Sequence, residues 1–140
     1  MRLAAALVLI IAGVAEAAGT WTDLGYALPG TFGLPQLQCH GSLLPDSSLV
    51  VDLSNTLPAA KAYLVIGASA IYAPYKGGVL VPSFDLLVPW WADGQGDLQL
   101  SGHWPGGLPS GIAFYMQFWI DDPAAVAGRA GSNAVMGLTP

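Results

Sequence analysis

Charge is what this sequence has least of. Charged residues fill 9% of its 140 positions, and only four of them are basic. A nucleic-acid binder needs a basic stripe to meet phosphates, and a net charge of −5 excludes one. A single cysteine, Cys39, excludes an intramolecular disulfide framework and a multi-thiolate zinc site. Glutamate occurs once, at Glu16, and lysine twice, at Lys61 and Lys76. Both residue types favour helices, and their scarcity points to a strand-and-turn protein that uses Asp at its turns. Long segments free of Gly and Pro are also missing. Beyond residue 17 the two longest are 46–57 and 112–122, and an ordinary helix needs about 11 residues. Low charge with 54% hydrophobic residues excludes a disordered chain, and the length allows one domain.

What is present begins with an address. Met1-Arg2 precedes an uncharged apolar run over residues 3–14, and Ala15-Glu16-Ala17 places small residues at −3 and −1 of a cleavage site. This is the layout of a secretory signal peptide over 1–17. The run is too short to span roughly 30 Å of hydrocarbon, and later apolar runs are interrupted by Gly or Pro, so no membrane span is expected. Cleavage after Ala17 leaves eight Asp against two Lys and one Arg, so the charge stays −5.

Eight strands are expected, over 36–43, 48–53, 61–67, 79–81, 85–91, 97–102, 112–120 and 132–138. Lys76-Gly77-Gly78 signals a turn, and Asp93-Gly94-Gln95-Gly96 is the strongest hairpin signal. Ile112, Phe114, Met116, Phe118 and Ile120 alternate with Ala113, Tyr115, Gln117 and Trp119. The first set should face a core, and the second should lie on the other face, partly covered by a loop. Leu49, Val51 and Leu53 alternate in the same way with Ser48, Val50 and Asp52. Sheets with one wet face are antiparallel and pack in pairs, so the fold class is an all-β, two-sheet antiparallel sandwich, Ig-like or jelly-roll-like, over 35–140. Residues 18–34, broken by Gly25, Pro29, Gly30 and Gly33, are expected to form an extended arm with Trp21, Leu24 and Phe32 as plugs.

The order of W-x-D-L-G (Trp21, Asp23, Leu24, Gly25), P-G-x-x-G-x-P-x-L (from Pro29 to Leu37), L-V-I-G-x-S (from Leu64 to Ser69), G-G-x-L-V-P (from Gly77 to Pro82), Y-x-Q-x-W-x-x-D (Tyr115, Gln117, Trp119, Asp122) and S-N-A (Ser132, Asn133, Ala134) resembles an all-β domain of unknown function. That domain occurs in bacterial exported and cell-surface proteins, often at the C-terminal end of longer chains. The resemblance implies a β-sandwich and an extracytoplasmic place, and it brings no catalytic residues. This chain departs from it at Cys39-His40, where the first strand of the family carries glycine.

Candidate chemistry is sparse. Cys39 and His40 are neighbours in a strand and point to opposite faces, so they do not form a nucleophile–base pair. Cys39 reads as a small buried residue, with an exposed thiol that links two chains as the alternative. Ser69 with a histidine and an aspartate lacks the second glycine of a nucleophile elbow. The Asp93–Asp97 pair and Asp121-Asp122 offer carboxylates without calcium-loop spacing, and Asp-Gly is also plain turn chemistry. No catalytic residue, cofactor or metal is therefore assigned. Aromatics remain. Trp91, Trp119 and Tyr115 form the possible ligand platform, since exposed rings on a flat sheet stack sugars; otherwise these rings lie under the arm. The expected function is a secreted, non-catalytic structural, adhesive or self-associating domain at the cell surface. Its partners would be itself or other surface proteins. The alternative is a carbohydrate-binding module with polysaccharide as partner.

Overall fold

The structure, a computed structural model, describes residues 17–140, so all but the last residue of the expected signal peptide lies outside the described residues. Eleven strands follow in order: β1 (Thr20–Gly25), β2 (Gln36–His40), β3 (Ser48–Ser54), β4 (Lys61–Gly67), β5 (Ala70–Tyr75), β6 (Gly78–Pro82), β7 (Leu86–Trp91), β8 (Leu98–His103), β9 (Ala113–Asp121), β10 (Arg129–Gly131) and β11 (Ala134–Leu138). No helix occurs among the described residues.

The fold is an antiparallel β-sandwich with eleven strands rather than the expected eight. A six-stranded sheet runs β1-β11-β9-β4-β7, with β10 also against β9. A three-stranded sheet, β2-β3-β8, packs on one face, and the β5–β6 hairpin covers part of the other. The alternation read from the sequence sets the layers. Met116, Phe118 and Ile120 of β9, with Ala62 and Leu64 of β4, meet Leu37, Val51 and Leu53 of the smaller sheet in the main core. Ile112, the first member of that stripe, lies outside β9 and is exposed.

The three additional strands have separate causes. β1 comes from the expected arm. It pairs with β11 from Thr20↔Leu138 onward, and so belongs to the sandwich. Trp21 packs on the core, with its indole N–H donating to Gly41 O at 2.9 Å. Phe32 is exposed and plugs nothing. β5 contains Pro74, which the sheet tolerates because the β5–β6 pair is a two-stranded ribbon. β10 has three residues and includes Gly131, too short to show a period.

One pairing differs from expectation. The 93–96 turn does not close a hairpin. β7 pairs with β4 and β8 pairs with β3, so the turn carries the chain from one sheet to the other. The Lys76-Gly77 turn does close one: both residues are left-handed, as a two-residue hairpin loop requires.

Candidate functional site

The second face of β9 is where the sequence places its polar and aromatic residues, and the β5–β6 hairpin lies over it. Gln117, fully buried, is the clamp. Its Oε1 accepts from Val81 N at 3.0 Å and from Trp119 Nε1 at 3.2 Å, and its Nε2 donates to Val79 O and Ser132 O, each at 3.1 Å. Trp119 is only 1% exposed. It fits because Gly78 and Gly131 lie against its ring, where an added Cβ would sit 3.3 and 3.1 Å away, and Tyr75 meets it edge-on at 4.8 Å.

The platform of Trp91, Trp119 and Tyr115 is therefore not assembled. Trp119 is sealed under the hairpin. Trp91 pairs with Lys61, and Tyr115 pairs with Gly67, at opposite ends of β4. Six residues of strand separate them, about 20 Å. Of the three, only Trp91 is strongly exposed, at 61%.

Trp91 instead heads a different array. Lys61 Nζ lies 5.3 Å from the ring centroids of both Trp91 and Tyr63. Arg129 lies over the Tyr63 ring too, 4.4 Å from its centroid, donates through Nη1 to the Tyr75 hydroxyl at 2.7 Å and through Nε to Asp121 Oδ1 at 3.1 Å. Two of the few cations of the chain thus stand between aromatic rings along the outer face. Beside them Tyr63, Tyr75, Phe84 and Leu87 line a hollow of about 100 Å³, floored by Trp119.

β7 borders this array and ends the large sheet. It pairs with β4 on one side, and no strand pairs with its other side among the described residues. Its sequence, Leu-Leu-Val-Pro-Trp-Trp, has no charge. Leu86, Leu87, Trp90 and Trp91 are all exposed, and their side chains alternate between the two faces. Natural edges carry charges, prolines or covers against further pairing, and only Pro89 serves that purpose here. The sequence contained this signal, because an uncharged strand at a sheet edge is sticky. The edge position itself depends on long-range topology.

The reactive side chains do not converge. Cys39 faces the core, and burial, with Asp52 nearby, pushes its thiol up to about 12, so it stays protonated at neutral pH. His40 points outward to Asp52 at 3.4 Å, an exposed pair of little energetic weight. His103 lies two strands away on the same sheet, with Nδ1 3.4 Å from Asp46 O. Ser69 donates its backbone N–H to Ser83 Oγ at 3.1 Å and has no histidine partner among the described residues. Asp93 serves its turn: Oδ1 accepts from Gln95 N and Asp97 N at 2.8 and 3.0 Å, and these bonds hold its carboxyl below the usual range. Among the described residues no group of three or more His, Cys, Asp or Glu is placed to hold a metal. No described helix is long and apolar enough to cross a membrane.

The motif residues are structural. Asn133 of S-N-A accepts from Leu37 N at 2.7 Å and donates to Leu37 O at 3.0 Å, tying the two sheets together. Asp122 of Y-x-Q-x-W-x-x-D accepts from Thr31 N and Thr31 Oγ1, both at 2.7 Å. No family model matches the chain, and no curated protein or solved structure matches it either.

Proposed function

We propose that the chain is a non-catalytic domain, exported to an extracytoplasmic surface, that works by self-association or adhesion through β7. The observation that carries this reading is the uncharged free edge of Leu86–Trp91, with four large apolar side chains exposed along it. An antiparallel second copy would satisfy the open backbone groups and bury Leu87 and Trp91 from water. The signal-like leader and the family resemblance support the location.

Sedimentation velocity over a range of concentrations tests the reading. The wild type is expected to associate, and the double variant Leu87→Lys/Trp91→Lys to stay monomeric with an unchanged circular-dichroism spectrum. A wild type that is monomeric throughout, or a variant that associates equally, would overturn it.

A second reading has one observation in its favour. Trp91 offers an open indole face next to Tyr63 and Lys61, the composition of a sugar-stacking corner. A change in tryptophan fluorescence on polysaccharide titration, lost in Trp91→Ala, would select it.

A further inference from the structure

Three strands cannot cover a sheet of six, and at one end of the sandwich the layers part. The gap is a cleft of about 420 Å³. Val51, Leu64 and Met116, all buried, form its floor; Ile66, Leu100 and Phe114 line its walls. Leu108 and Ile112, both exposed, stand at its mouth beside Trp104. Along β9 and the residue before it the lining runs from Met116 to Ile112, four residues of extended chain, about 13 Å.

The lining decides what fits. The β4 and β9 backbones there are paired on both sides, and β3 lies between β2 and β8; among the described residues β8 pairs only with β3, so its outer edge is open at the rim. Thr139 Oγ1 is already committed, donating to Pro109 O at 2.9 Å and accepting from Ile112 N at 2.7 Å. His103 lies at the rim and faces Asp46 O. A peptide's N–H and C=O groups would find backbone partners only along the β8 edge at the rim and none over the Val51, Leu64 and Met116 floor, and a sugar would bring hydroxyls to that same apolar floor. A hydrocarbon chain brings neither. A lining that runs lengthwise along β9, with Leu100 and Gly102 of β8 facing it, suits an extended chain. We infer that this inter-sheet cleft is a binding site for an unbranched acyl chain, entering between Ile112 and Leu100. This site is separate from the outer β7 corner and stands whether or not that edge self-associates.

Gly102 supplies the test. It follows Leu100 on the inward side of β8 and lines the cleft; a Cβ built there meets no atom within 4 Å, and its backbone is not left-handed. Gly102→Phe therefore plugs the cleft without straining the fold, and Ile112→Trp at the opposite lip is a second plug. The probe is cis-parinaric acid added to the purified protein. Saturable one-to-one binding is expected, displaced alike by laurate and dodecanol, and at least tenfold weaker in either plugged variant whose thermal midpoint is unchanged. Absence of saturable binding overturns the inference, as does undiminished binding by both folded variants. Displacement by laurate alone would mean that a carboxylate is held and not the chain. A wild-type dimer split by Gly102→Phe would mean that a second copy fills the cleft.

Discussion

Gln117 concentrates much of the specificity of this fold in one side chain. A primary amide buried in an apolar layer is costly unless its donors and acceptor are engaged. Here they join β9, the β10–β11 connection, the covering hairpin and the Trp119 indole. Gln117→Leu keeps the volume but leaves four partners without the amide, three of them buried. Each orphaned group costs about 1–3 kcal/mol, so a loss of at least about 3 kcal/mol is expected in urea unfolding. The hairpin should loosen first, because Val81 N and Val79 O lose their anchor. Hydrogen exchange at Val81 should therefore accelerate more than at core amides of β3, such as Leu53. Equal acceleration at both would contradict the clamp.

At the scale of elements, the 93–97 turn fixes how the two sheets meet. Thr56 donates to Gly96 O through N at 3.1 Å and Oγ1 at 2.9 Å, and Ala59 N donates to Asp93 O at 2.8 Å. Gly96 is left-handed at φ 79°, and a Cβ there would run into Thr56 O. Gly94, two residues earlier, has open space and no such φ. Gly96→Ala is expected to cost about 2 kcal/mol or more, from the left-handed backbone and from displacement of the 55–59 loop. Gly94→Ala should be nearly neutral. Comparable thermal midpoints for the two variants would remove the special role of Gly96. This turn also marks the limit of legibility. Asp-Gly-x-Gly announces a reversal, but a reversal within one sheet and a step between two use the same residues. Strand identity was readable where alternation was long, as in β3 and β9. It was unreadable in β5, interrupted by Pro74, and in the three residues of β10. The platform failed for a related reason. The period placed Trp119 on the second face of β9, but nothing local reported that Gly78 and Gly131 would let a hairpin close over it.

For the whole molecule, the scarcity of charge makes each buried carboxylate count. Asp122 is 2% exposed and ties the Gly30-Thr31 turn to the end of the large sheet. Burial pushes its carboxyl up, but bonds from Thr31 N, Thr31 Oγ1 and Ala124 N outweigh this and leave it below its ordinary value. A carboxyl with a lower pKa in the folded chain stabilises the fold at pH values above its unfolded value. That contribution is lost as pH falls through the folded one. Asp85 and Asp93 are shifted in the same direction, by bonds from Ser83 and Ala68 and from Asp97 and Gln95. The urea midpoint is therefore expected to be flat from neutrality down to about pH 5 and to fall progressively below about pH 4. Asp122→Asn should be less stable than wild type at pH 7, because its amide N–H groups oppose those of Thr31 and Ala124. Its deficit should narrow as pH drops, since the wild-type carboxyl then becomes protonated and loses the same bonds. A deficit that stays constant from pH 7 to pH 3 would show that Asp122 acts by shape alone, and that the acid sensitivity of the sandwich arises elsewhere.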